Sequence, residues 1–140
     1  MTLSSKNNSK RISRPSVYSD FDLGFNLHPI LKDIRPLYDL DAVKMAIKNL
    51  VLTGGFDRPF HPELGGNVAA YLFENANRFT LKSLQTSIET NIRRYEERVS
   101  NVIVTVEDNS DLNAFNITVQ FKVKSSDEEG DISFFLERLR

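Results

Sequence analysis

The stretch Phe115-Asn116-Ile117-Thr118-Val119-Gln120-Phe121-Lys122-Val123 decides the fold class. Its apolar residues alternate without a break with Asn116, Thr118, Gln120 and Lys122. Consecutive side chains of a strand point to opposite faces, so this segment makes one apolar face and one polar face. Just upstream, Val102, Val104 and Val106 alternate with Ile103 and Thr105, and Glu107 to Asp111 supply turn chemistry. Downstream lies the acidic turn Asp127-Glu128-Glu129-Gly130-Asp131, after which residues 132–139 read as a last strand. The C-terminal part is therefore an antiparallel sheet with one face to cover.

Working back toward the N-terminus, the period changes from 2 to 3.6. Leu81, Leu84, Ile88, Ile92 and Tyr95 form a helical stripe, with Thr80 in position to cap it. A short helix precedes it, with Val68, Ala69, Leu72 and Phe73 facing inward. Before that, Leu40, Val43, Ile47, Leu50 and Val51 share one face of a helix that Asp39 or Asp41 can cap. Gly54-Gly55 ends that helix through the left-handed conformation open to glycine. Between the first two helices, residues 56–66 carry Pro59, Pro62, Gly65 and Gly66 and cannot be regular. Phe21, Leu23, Phe25 and Leu27 alternate with polar residues and Gly24 as a half-buried strand does, and residues 28–38, with Pro29 and Pro36, read as loop or short extended pieces. Together these elements define a single α+β domain, a mostly antiparallel sheet with about three helices on one face.

Composition sets the remaining bounds. A chain of 140 residues is the size of one domain, and folding should bury roughly 68–70% of its unfolded surface. Without cysteine there are no disulfides and no thiolate chemistry. No apolar run approaches the roughly 18–20 residues of a membrane span, and no signal-peptide core follows Met1, which predicts a protein made in a cytoplasm. Residues 1–16 hold Lys6, Lys10, Arg11 and Arg14 without an acid and read as a disordered basic arm, leaving residues 17–140 as the folded domain. The rest of the chain is near neutral and lacks the basic stripe of a nucleic-acid binder.

Catalytic chemistry finds no foothold in these residues. His28 and His61 are 33 positions apart, each before a proline, and no third ligand stands at recognisable spacing, so no metal site is expected. Glu63, Glu74, Glu96, Glu97 and Glu107 are available in number for glycoside hydrolysis, but none sits in a context that marks a raised pKa. Phosphate loops, dinucleotide fingerprints and nucleophile elbows are missing, and no cofactor is implied. The segment Tyr95-Glu96-Glu97-Arg98, at the exit of the long helix, reads either as a solvated helix end with local ion pairs or as an outward-facing partner contact.

Several stretches resemble, in order and spacing, the gene-25-like baseplate wedge family of contractile-tailed phages, which is related to a type VI secretion baseplate component. They are Tyr18-Ser-Asp-Phe-Asp-Leu-Gly-Phe25, Ala46-Ile-Lys-Asn-Leu-Val-Leu-Thr53, Arg58-Pro-Phe-His-Pro-Glu-Leu-Gly65, Leu72-Phe-Glu74 and Ile88 to Arg98. The resemblance runs from about residue 18 to 107 and more loosely to the end. It implies a structural role in the virion, not an enzyme, and a domain similar to the inner part of a tail-sheath subunit. It further implies one copy joining a pair of larger wedge subunits in a core bundle, with six such wedges, hence six copies, around the tail tube and hub proteins. Carried over residue by residue, the family's Glu-Pro-Arg motif falls on Glu96 and Arg98, with Glu97 in place of the proline. Arg58, Phe60 and Pro62 belong to the loop that carries the resemblance and are expected to bind partners with them. The resemblance also implies that terminal strands exchange with tail-sheath segments and template the first sheath ring. An open edge carrying Phe115, Ile117, Val119, Phe121, Ile132 and Phe134 would serve this purpose. Two alternatives accompany this reading: a lysozyme-like peptidoglycan hydrolase of the tail, and a regulatory adaptor of the same fold.

Overall fold

The computed structural model describes residues 16–27, 29–30, 32–55, 57–65, 68–74, 77–109 and 114–137. The expected arm lies outside them except for Ser16, and so does His28. In chain order the elements are β1 (Ser19–Phe21), β2 (Pro36–Tyr38), α1 (Asp39–Leu52), α2 (Val68–Leu72), α3 (Arg78–Tyr95), β3 (Val99–Asn109), β4 (Ala114–Val123) and β5 (Glu129–Glu137). The α+β reading holds: β3-β4-β5 is one antiparallel sheet, β1-β2 is a separate antiparallel ribbon, and α1 and α3 pack with the larger sheet.

β4 fulfils its alternating pattern. Phe115, Ile117, Val119, Phe121 and Val123 are all buried, and their intervening neighbours lie on the outer face. Val104 and Ile132 flank Val119, and Val106 and Phe134 flank Ile117 in register, so the inner face is built of cross-strand apolar rows. Helix α3 contributes Leu84, Ile88 and Ile92, and α1 contributes Val43, Ile47 and Val51, to the same cluster. β3 reaches this face only through a bulge. Val99 and Val102 are both buried although three residues apart, because the register with β4 shifts by one between Ser100 and Ile103. Asn101, at φ 51, absorbs the extra residue.

Several local expectations are corrected. β4 is the central strand, paired on both sides, so Phe115, Ile117, Val119 and Phe121 do not lie on an open edge. The edges are β3 and β5. β3 runs to Asn109, through part of the segment read as a turn, and β5 begins at Glu129, inside the acidic stretch. Phe21, Leu23, Phe25 and Leu27 are exposed, not half-buried. The chain turns between β1 and the Leu27–Ile34 bridge, with Asp22 accepting from the Gly24 amide and Phe25 at φ 51, which interrupts the strand period.

The helix ends differ too. Asp39 does not cap α1: at φ 43 it is the first helical residue, and its Oδ1 accepts from the Val17 and Tyr18 amides instead. Thr53 closes α1 in an extended conformation, and the left-handed glycine is Gly65, not Gly54. A side chain at Gly65 would collide with the Thr53 carbonyl. Asn77, not Thr80, caps α3, accepting from the Thr80 amide at 2.8 Å, while Thr80 is buried inside the first turn. In α2 only Val68 is fully buried; Ala69 and Phe73 are exposed because the helix touches the body along one narrow side.

Gly130, in β5, faces the Phe121 ring and Leu40 so closely that a Cβ would stand 2.9 Å from Phe121 Cζ and 2.7 Å from Leu40 Cδ1. Gly130→Ala should destabilise the fold by about 1–3 kcal/mol through overpacking where α1 meets the sheet. Urea unfolding of the two proteins checks this, and equal midpoints would show that the contact has slack.

Candidate partner interface

At the end of α3 the chain must pass from helix to strand within three residues. Glu96 takes φ −116 and ψ 86 while its amide still donates to the Ile92 carbonyl. That geometry turns the Glu96 side chain into the protein, where it is only 7% exposed. A carboxylate buried this far needs a cation and hydrogen bonds to its oxygens. Arg98 supplies both. Its Nε donates to Glu96 Oε1 at 2.7 Å and its Nη2 to Oε2 at 2.6 Å, a two-point fork, and the Arg98 amide also donates to Oε1 at 3.2 Å. The hydrogen bond to Glu96 holds the guanidinium above its ordinary pKa in spite of burial, with the charges of Glu96 and Asp20 adding to the effect.

Arg98 is further fixed by the face of Tyr18, whose ring centroid lies 5.5 Å from its Cζ. Tyr18 is held in turn by Asp39: Oδ1 accepts from the Tyr18 amide at 3.0 Å, and the Asp39 amide donates to the Tyr18 carbonyl at 2.9 Å. The start of the described chain, the start of α1 and the start of β3 thus converge on one guanidinium. Glu97, in the position of the family's proline, is exposed in the turn and takes no part. The fork fixes the geometry that a proline would otherwise restrict. Of the two readings of this segment, the local ion pair describes the isolated chain, since Glu96 points inward. Arg98 keeps one outlet, because Nη1 has no acceptor among the described residues.

The loop 57–65 is brought to the same surface. Arg58, Leu64, Tyr95 and Glu96, with Asp20 and Asn49, line a concavity of about 260 Å³. Three turn contacts shape the loop: Asp57 Oδ2 accepts from the Gly54 amide, and the His61 and Leu64 amides donate to the Arg58 and His61 carbonyls. Tyr95 Oη reaches the Glu63 carbonyl at 3.5 Å, tying the loop to α3. The exposed Glu63 carboxyl is held below its ordinary range first by a hydrogen bond from its own amide, and then by His61, whose Nδ1 lies 3.5 Å from Glu63 Oε1. Phe60, at φ 71, is 97% exposed, and Arg58 and Pro62 are exposed beside it. Arg58 and Glu96 therefore meet at one concavity, Phe60 and Pro62 are exposed on the loop that carries Arg58, and Ile132 and Phe134 lie on β5 with inward-facing side chains.

Sequence reasoning gave Tyr18 no contact with residue 98 and gave Asp39 only a helix cap. The signal was the Tyr18-Ser-Asp segment itself, whose value depends on a contact with residue 98 that no local pattern reveals. Among the described residues, no group of three His, Cys, Asp or Glu side chains is arranged to hold a metal ion.

Comparison with known proteins gives the class: the family model for "Baseplate wedge protein gp25" matches residues 38–128, and the chain belongs to that family. It is a structural baseplate wedge component of the phage-tail type. Among individual relatives, the baseplate wedge protein gp25 of Enterobacteria phage T4 is 31% identical over 90 residues, covering 64% of this chain and 67% of its own length. The fold is also similar to a putative tail lysozyme from Geobacter sulfurreducens, with TM-score 0.62, 16% identity and coverage of 70% of this chain and 89% of that one. A chain of the anti-feeding prophage baseplate has TM-score 0.55 and 16% identity, covering 88% of this chain and 87% of its own. At these identities the two structures show the fold alone.

Arg98→Ala leaves the Glu96 carboxylate buried without its cation. Removing one partner of a fully buried pair costs about 3–5 kcal/mol. With about a quarter of the Arg98 side chain exposed, a loss near 2–3 kcal/mol is expected. Glu96→Gln combined with Arg98→Met should recover at least half of it. Thermal unfolding of the single and double variants measures both, and a single variant as stable as the wild type would show that water satisfies Glu96.

Proposed function

We propose that the chain joins larger wedge subunits of the baseplate through the surface formed by Arg58, Phe60, Pro62, Glu96 and Arg98, and that the edge of β5 receives a strand from a tail-sheath subunit. The observation that supports the first part is an aromatic ring exposed almost completely on a loop tied to α3 through Tyr95, on the same chain as an arginine immobilised at the exit of that helix with a spare donor edge. A preorganised aromatic and arginine pair loses little side-chain freedom on docking, which is how such residues come to dominate interfaces. The exposed Phe21, Phe25, Leu27 and Ile30 of the N-terminal segment add apolar area for an assembly to cover.

For the second part, β5 is an outer strand of the sheet. Among the described residues its backbone bonds only to β4. Ile132 and Phe134 remain as strand-exchange residues in this proposal; the four β4 residues act only by supporting them from the next strand. A free edge of nine residues is a liability unless a partner covers it, and strand addition to sheath would give it that partner and template the first ring. The reading places six copies around the tail tube and hub proteins, with folding and assembly in the host cytoplasm and residues 17–140 as the folded unit.

Arg58→Glu and Phe60→Ala lie on exposed positions and should leave thermal stability within about 0.5 kcal/mol. Each should weaken co-purification with the large wedge subunit of the same genome at least tenfold, and retention of wild-type affinity by both would remove the loop from the interface. In hydrogen exchange, the outward amides of β5 should exchange fast in the free chain and slow down when sheath subunit is added. Protection of every β5 amide in the free monomer would show that the edge is already covered.

A further inference from the structure

The β5 edge has a different charge on each face. On the inner side, Leu37 of β2, Met45 of α1 and Ile132 of β5 line an apolar groove of about 220 Å³ beside the sheet, and Lys44 and Lys48 stand on its wall with Asp41. Among the described residues neither lysine is in an ion pair. On the outer side, the exposed residues of the same half of β5 are Glu129 and Asp131. A strand laid along this edge would put alternate side chains into the groove and the others beside the two acids.

Resting on the strand-addition reading above, we propose that the β5 edge selects an extended segment with apolar and acidic side chains on its inner face and basic side chains on its outer face. The inner acid pairs with Lys44 or Lys48 at the groove mouth, next to an apolar residue seated against Ile132 and Met45. The outer base pairs with Glu129 or Asp131. Side chains change face at every residue, so a slip by one position would set acid against acid and base against base. The two-faced charge pattern therefore fixes register, which backbone hydrogen bonds alone leave degenerate.

The same pattern excludes two occupants closer to hand. The chain's own residues 1–15 contain no acidic side chain and cannot pair with the inner lysines. A second copy of β5 would bring Gly130, Ile132, Phe134 and Leu136 inward, again without an acid, and in antiparallel pairing would bring the acids at one end of β5 toward Glu137 at the other.

The test uses the full chain and the tail-sheath subunit of the same genome, with affinity measured by titration at low and high salt. Lys44→Glu/Lys48→Glu and Glu129→Lys/Asp131→Lys should each weaken binding at least tenfold at low salt. Wild-type binding should weaken as salt rises, and Lys82→Glu, on exposed α3, should have no effect. All these positions are at least partly exposed, and thermal unfolding confirms that the variants fold. If the wild type binds and both charge reversals bind within twofold of it, the charge pattern is refuted while strand addition stands. If the wild type does not bind the sheath subunit at all, strand addition and the charge pattern fall together.

Discussion

A carboxylate forced inward at the end of a helix has to be neutralised on the spot, and much of this molecule is arranged around that need. Glu96 points into the protein because α3 turns directly into β3, and Arg98 is the nearest residue able to return and bond both of its oxygens. Once Arg98 is committed, Tyr18 lies against its guanidinium, and Asp39 is drawn from capping duty to hold Tyr18. The N-terminal segment is thereby fastened to the junction of α3 and β3, although it contributes little to the core. Such a buried pair commonly adds less net stability than an apolar replacement of the same shape. Its value here is positional, since it fixes where three separate stretches of chain meet.

The core beneath this junction follows simpler rules. β4 is covered on its inner face by α1 and α3 and flanked by β3 and β5, so its apolar residues have no route to solvent. The bulge at Asn101 shows how firmly that face constrains the chain: β3 takes a left-handed residue in order to keep both Val99 and Val102 inside. Gly130 answers the same demand from the other side, leaving room where Phe121 and Leu40 converge.

What could be read from the sequence divides along this line. The alternation of residues 115–123 and the stripe Leu84, Ile88, Ile92 reflect burial against a core, and burial imposes a period that survives any tertiary detail. The strand order did not follow from that period: an alternating segment looks the same in the centre of a sheet as at its edge, and only pairing on both sides makes β4 central. The N-terminal alternation of Phe21 to Leu27 misled for the opposite reason. Those residues are apolar without being buried in the chain alone, so their alternation reports no packing within it. At the proposed partner surface, the resemblance pointed to Glu96, Arg98 and the Arg58 loop, but the inward turn of Glu96 and the contacts of Tyr18 and Asp39 are long-range facts. Capping was legible only as a residue type: Asp39, Thr80 and Gly54 each have the chemistry, yet Asn77 and Gly65 occupy the geometries that need it.

A subunit with these properties is rigid in its core and unfinished at its borders. The exposed N-terminal apolar residues, the exposed Phe60 and the edge of β5, unpaired among the described residues, lie on different elements. For a monomeric protein, that much uncovered apolar and backbone surface would invite unspecific association. In a baseplate wedge component it has a use, because a joining piece must touch several neighbours at once and can meet each with a different chemistry. On the proposed reading, apolar area would serve the N-terminal segment, an aromatic side chain and an arginine would serve the loop surface, and backbone hydrogen bonds would serve the sheet edge. Distinct chemistries reduce the chance that one neighbour occupies another's place. The inner core can remain ordinary, since specificity is carried where the chain is left open.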